Sequence, residues 1–242
     1  MQALNKLVAI GSTVLLAVTL IAAGFAAVAV PDWATVALSR AFSGCDQPLT
    51  PFTHAELTSM AVAGKHYTFD SNNADELNEA IAAANVSAEA DGRATVIGEA
   101  SETRRLPADA ISHLDDVYRV VSVAKPALAV IAVLCVAGLA HVAVRINRRV
   151  LGRVLIAGGA FVLAAFAALG IWAFVDFYGL FGVFHSLFFQ AGTWTFSIDS
   201  LLITLYPTAF WMGMAGIWLA VTCGLSILAV LVGFTLGHKQ HD

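Results

Sequence analysis

Residues 7–30, 126–144, 155–175 and 207–236 are apolar for long enough to cross a lipid bilayer, and the rest of the chain has to be arranged around them. At about 1.5 Å of rise per residue, about 20 residues of helix cover a hydrocarbon core of about 30 Å. Backbone in lipid must satisfy its own hydrogen bonds, so four single runs predict four helices. With 59% hydrophobic residues, the chain is expected to be an all-α polytopic membrane protein with a small helical extracytoplasmic domain between the first and second transmembrane helices. The first run follows Lys6 and ends in Ala27-Val28-Ala29, which resembles a signal cleavage site. It is longer than the usual signal core of about 7–15 residues and is read as an uncleaved helix.

Residues 31–125 are a different material, holding 14 of the 17 acidic residues. Thr53 with Glu56, and less strictly Asn73 with Glu76, read as capping boxes. Leu77, Ile81 and Ala84 follow at helical spacing. Asp91-Gly92 is a turn, a short strand is expected around Thr95–Ile97, and Pro107 suits the first position of a helix that carries Ile111, Leu114, Val117 and Val121 on one face. The Asn85-Val86-Ser87 sequon is read as chance.

Orientation comes from charge. Arg145, Arg148, Arg149 and Arg153 crowd into the loop 145–154, and positive residues in short loops mark the cytoplasmic side. The expected order is then a first span ending at 30, the outer domain 31–125, spans 126–144 and 155–175 around the inner loop, an outer aromatic segment 176–206, a fourth span 207–236 and a cytoplasmic tail 237–242. The seven Lys and Arg of the long domain do not contradict this, because long loops escape the charge rule. A net charge of −4 with no basic stripe argues against nucleic acid. Cys45, Cys135 and Cys223 lie in unlike settings and imply neither a disulfide framework nor a metal site.

The outer face carries the chemistry. The stretch 184–211 is apolar and aromatic but includes His185 and Asp199, far more than a connection between spans requires. In the domain, Asp109, His113 and Asp116 fall at i, i+4 and i+7, on one face of a helix. A carboxylate beside His113 fixes its tautomer and raises its pKa, whereas apolar walls lower that of His185, so the two divide base and acid work. The plainer readings are a solvated helix face for the aspartates, an interfacial anchor for each histidine and an aromatic belt for the phenylalanines. His54 and His66 read as isolated surface residues, His141 as reaching toward Arg145, and His238 and His241 as tail. His113 lies 12 residues before Lys125, so a straight helix lifts it about 18 Å above the core boundary. The two histidines are expected to meet only if that helix breaks near Pro126 or its span sits higher.

On these residues the chain resembles the lipoprotein intramolecular transacylase family (Lit) of bacterial integral membrane proteins. One motif is His113-Leu114-Asp115-Asp116-Val117, where the family usually has Met after the histidine. The other is Phe184-His185-Ser186-Leu187-Phe188-Phe189 with Trp194, Asp199, Leu202-Ile203 and Pro207. The resemblance implies transfer of the sn-2 acyl chain of a diacylglyceryl-modified lipoprotein onto the α-amine of its N-terminal cysteine, giving a lyso-form product. It implies His113 and His185 as the catalytic pair and no cofactor or metal. With those roles, His113 backed by Asp116 takes the amine proton and His185 protonates the glycerol oxygen or bonds the oxyanion, or the two are exchanged. Asp109 and Asp199 would support, with Asp199 capping the next helix through Ser200. Phe184, Phe188, Phe189 and Trp194 would line a pocket for membrane lipid. The competing class is a non-catalytic membrane protein whose outer domain binds lipid or a protein partner. A transporter is disfavoured by spans nearly free of charge, and a metal-dependent lipid hydrolase would lose activity on chelation.

Overall fold

The computed structural model describes residues 2–46, 50–96 and 101–238. The elements are α1 (Gln2–Ala29), α2 (Trp33–Phe42), α3 (His54–His66), α4 (Asp75–Ala90), α5 (Ser101–Arg104), α6 (Ala108–His141), α7 (Arg148–Val175), α8 (Phe177–Ser186), α9 (Leu201–Leu205) and α10 (Thr208–His238). Among the described residues there is no strand. The expected strand is corrected: Thr95 and Val96 fall in a 3₁₀ turn, Arg93–Val96, and Ile97 lies outside the described residues. A β-branched pair after a tight turn forms no strand without an edge to pair with, and Arg93 is drawn instead into side-chain bonds with Glu56.

Four helices are long and apolar enough to cross a membrane: α1, α6 with its continuation to Ile146, α7 and α10. The chain divides into two compact units. One is built from α1, α6 from Ala124 onward, α7 and the later turns of α10. Small residues bring its helices together, as lipid supplies no hydrophobic drive to do so. A Cβ on Gly159 would come 2.7 Å from the main-chain oxygen of Ser226, and one on Gly158 2.9 Å from Leu16. Trp218 fills the space beside these seams, its ring 5.3 Å from Phe166 and 5.7 Å from Phe25, and its Nε1–H donates to the carbonyl of Ile21 at 3.2 Å.

The second unit holds 29–123 and 178–215. The Thr53/Glu56 capping box is present, and the Glu56 carboxylate also accepts from the Arg93 guanidinium at 2.9 Å. The second expected box is not: α4 starts at Asp75, Asn73 bonds the Asp75 N–H, and Glu76 turns to His66. His66 is therefore not isolated. It lies between Glu76 at 2.9 Å and Asp32 at 3.1 Å, and buried Lys65 pairs with Asp32 at 2.6 Å. The Asn85 amide bonds the carbonyls of Ile81 and Arg104, which suits a structural residue rather than a glycan acceptor.

The short helix α9 lies in the middle of this unit. Leu201 and Leu205 pack with Phe52, Leu57, Met60 and Ala61, while Leu202 packs with Ala63, Tyr67, Leu77, Ala110 and Leu114. Its C-terminal carbonyls, which no further turn satisfies, are taken by the residues just after α2: Gly44 N–H bonds Thr204 at 2.8 Å and Ser43 Oγ bonds Leu205 at 2.7 Å. Gly44 has φ +81, a conformation that Cβ-bearing residues avoid. Tyr206 closes the end, donating from its hydroxyl to the carbonyl of Ala61 at 2.6 Å.

The break near Pro126, one of the two ways expected to let the histidines meet, does not occur. α6 runs 34 residues through it. Proline removes one donor and crowds the carbonyl four residues back, and in an apolar span the neighbouring helical bonds have no water to exchange for.

Candidate active site

His113 sits in the second turn of α6, on the face with Ala110 and Leu114 that is packed into the domain core, and only 9% of it is exposed. His185 sits in the last turn of α8 and is half-buried. The two imidazoles come together: their centroids are 6.3 Å apart and their planes 27° from parallel.

An aromatic shell encloses the pair. Phe189 and Phe196 stand 5.0 Å and 5.6 Å from His113. Phe181, Trp194, Phe184 and Phe189 stand 3.9, 4.8, 5.7 and 5.7 Å from His185. Phe188 contacts Phe184 and Phe189 rather than either imidazole. Gly192, at φ +87, turns the chain between Phe189 and Trp194. Phe181 and Phe196 were not anticipated, although Phe181 is one helical turn before His185 and helix spacing alone would have offered it.

The orientation of His185 is fixed by one bond. Its Nδ1 lies 2.8 Å from the carbonyl oxygen of Phe181. A carbonyl only accepts, so Nδ1 carries the hydrogen and the lone pair is at Nε2. His113 has the opposite problem: its Nδ1 is buried with no hydrogen-bond partner.

The supporting carboxylates are placed differently from expectation. Asp116 bonds Arg119 at 2.8 Å, and Asp109 accepts the N–H of its neighbour Ala110 at 2.9 Å. Neither holds the His113 ring. Asp199 is exposed, and the cap of α9 is the hydroxyl of Ser200, which accepts the Ile203 N–H at 3.4 Å. The acid that does reach across the fold is Asp115, bonded by the hydroxyl of Tyr67 at 2.5 Å. Burial and that carboxylate together push the Tyr67 hydroxyl up to about 12, so it stays a donor.

The expected contrast between the two imidazoles is likewise corrected. This part of α6 belongs with the polar domain, ahead of the apolar stretch 126–144. Burial pulls His113 down to about 4, helped by the His185 charge and only opposed by Asp116. Burial also lowers His185, against the Phe181 carbonyl. Both rings are thus neutral near neutral pH: one with a bare Nε2, the other in an apolar niche. Among the described residues no group of three His, Cys, Asp or Glu side chains is placed to hold a metal.

Described residues whose regular elements are all helical, four helices long and apolar enough to cross a membrane, and a paired-imidazole centre walled by phenylalanine and tryptophan define a multi-pass membrane protein with a built polar site in apolar surroundings. The family model of the lipoprotein intramolecular transacylase Lit matches residues 93–211 of this chain. That segment contains both histidines and ends at Trp211. An uncharacterized protein of Aquifex aeolicus (strain VF5) is 30% identical over 129 residues, 53% of this chain; the match spans 56% of that relative's length. The membrane integral lipoprotein intramolecular transacylase Lit of Bacillus cereus has the same fold: TM-score 0.74 at 17% identity, covering 99% of each chain. A histidine-to-alanine variant of that protein aligns at TM-score 0.68 with 17% identity, over 99% of this chain and 96% of the other.

Proposed function

We propose that this protein carries out intramolecular acyl transfer on bacterial lipoproteins, moving the sn-2 acyl chain of the diacylglyceryl-cysteine to the cysteine's α-amine. The observation that carries this reading is the 6.3 Å approach of His113 and His185 inside an aromatic wall, within the segment that the Lit family model matches.

The chemistry needs little more than these residues. The attacking group is a free amine, and an α-ammonium with a pKa of about 8 gives up its proton to a modest base. That first proton is lost to solvent; the second, which the nitrogen sheds as the new bond forms, is taken by His185 Nε2, bared by the bond from Nδ1 to Phe181. The amine nitrogen then bonds to the ester carbonyl carbon, and a tetrahedral oxyanion forms. His113 donates to the oxyanion from Nε2, since its buried Nδ1, without an acceptor, better carries a lone pair than a hydrogen. The carbon–oxygen bond to glycerol breaks, and the His185 imidazolium returns the proton to the departing alkoxide. The proton lost by nitrogen ends on the glycerol oxygen, and the product is an amide beside a free hydroxyl. Donor and acceptor share one molecule, so the site need only hold them in register. This exchanges the roles favoured by sequence alone, because His113 lacks the carboxylate that would make it the stronger base.

The Arg-rich loop supports a cytoplasmic 145–154, with residues 31–125 and 176–206 on the extracytoplasmic face. The lipoprotein is therefore met where the outer leaflet presents its diacylglyceryl group, with Phe184, Phe188, Phe189 and Trp194 against the acyl chains. The experiment is expression of wild-type, His113→Ala and His185→Ala forms in a host that makes diacyl lipoproteins, followed by mass spectrometry of lipoprotein N-termini. Wild type should convert diacyl to lyso-form, and each variant should lose at least about 100-fold, the low end of general acid–base contributions. Undiminished conversion by either variant removes that residue, and no conversion by wild type favours a lipid- or partner-binding protein instead.

A further inference from the structure

A second constellation lies in the unit formed by α1, α7 and the membrane parts of α6 and α10. Arg149, Gly152, Arg153 and Ile156 recur at spacings of three and four, so they share one face of α7. That face meets Gly233, Phe234 and Gly237 of α10, and together they line a cavity of about 200 Å³. Gly152 and Gly233 bring the two backbones into contact: a Cβ on either would stand 2.7 Å from the other's carbonyl oxygen. The cavity therefore has a bare glycine seam, apolar lining from Ile156 and Phe234, and two arginines in its lining.

Among the described residues, neither arginine has a carboxylate within ion-pair distance. The one described acid of this unit is Asp176, beyond the far end of the 28-residue α7, about 42 Å along the helix. The C-terminal end of α10 offers the arginines only about half a negative charge.

We propose that this cavity binds the phosphate headgroup of an anionic phospholipid, with Arg149 and Arg153 on the phosphate oxygens and the lipid's first methylenes over Ile156 and Phe234. Planar guanidinium forks match phosphate geometry. Leu231 and Phe234 are more than half and half exposed, respectively, an apolar surface that suits acyl chains. Its charge and greasy flank together describe one molecule, an anionic lipid.

The test uses the full-length protein in neutral detergent and does not depend on acyl transfer. Native mass spectrometry would measure retention of phosphatidylglycerol against phosphatidylcholine of the same chains, with inorganic phosphate as a third arm. Wild type should retain phosphatidylglycerol preferentially. Arg149→Gln/Arg153→Gln should weaken it about 30-fold, at about fivefold per arginine. Arg145→Gln/Arg148→Gln, which removes as much charge from residues outside the cavity lining, should change it less than about threefold. Gly237→Leu, whose Cβ meets nothing within 4 Å, should fill the cavity and weaken retention with both charges intact. Equal losses in the two arginine pairs, no preference over phosphatidylcholine, or displacement of the lipid by millimolar phosphate would overturn the proposal.

Discussion

The hydroxyl of Tyr67 donates a 2.5 Å hydrogen bond to the carboxylate of Asp115, two residues after His113. Successive helical residues are turned by about 100°, so this bond grips α6 on the side away from the imidazole and sets the rotation with which His113 faces His185. Tyr67→Phe leaves the ring in the core with Leu77, Leu114 and Leu202 but frees the acid. The expected stability loss is about 1–2 kcal/mol, readable as a lowered melting temperature in detergent. Lyso-form production should fall as well, and Asp115→Asn in the Tyr67→Phe background should recover part of the stability by removing the unpaired charge.

The pH dependence of activity should show no step at the ordinary imidazole value of 6.5. His113 is held near 4 and His185 is lowered, so the titration of each imidazole is displaced below 6.5. The rate should instead rise toward about pH 8 as the substrate ammonium gives up its proton. A rate profile with an inflection at 6.5 that disappears in His185→Gln would contradict this. Stability follows the same groups with a definite sign. Folded histidines with lowered pKa bind fewer protons than the unfolded chain, so stability rises with pH between about 4 and 6.5 and is lost on acidification through that window.

Glu56 contributes in the opposite range. Burial favours its neutral form, but Arg93 and the Thr53 backbone outweigh that and hold it near 2. Its stabilisation is present above its ordinary value of 4.5 and is lost as pH falls through about 2. Arg93→Met also removes bonds to Pro51 and Ser87, and Glu56→Gln weakens the α3 cap. Each should cost about 1–3 kcal/mol by chemical denaturation, and the double variant should cost less than the sum.

In the membrane unit, Gly159→Leu forces a side chain toward the main-chain oxygen of Ser226 at 2.7 Å. Backbone cannot rotate aside, so α7 and α10 must separate, with an expected cost of about 1–3 kcal/mol. Gly216→Leu on α10, with nothing within 4 Å of its Cβ, is the matched control. Comparable melting temperatures for the two variants would exclude the seam as a stabilising contact.

What could be read from sequence followed from period and length. Four apolar runs gave the crossing helices, and the Leu77, Ile81, Ala84 spacing gave the buried side of α4. The meeting of His113 with His185 was anticipated through the family resemblance; periodicity alone left each histidine with plain alternatives. The misreadings share a cause. Asp116 stands at the right spacing for His113, yet Arg119 at i+3 competes for it and wins. His66 looked solitary because its partners, Asp32 and Glu76, are 34 and 10 residues away. The Phe181 carbonyl that sets the His185 tautomer is a backbone atom and leaves no trace in residue identity.

The way α9 is held has a consequence for ancestry. Its leucines complete the cores formed by α3, α4 and α6, and its last carbonyls are tied by Ser43 and Gly44. Residues 31–123 therefore cannot be exchanged between relatives as a cassette. A chimera that grafts them without the matching 178–215 would leave a hole where the leucines belong, and the two stretches should be inherited as one block.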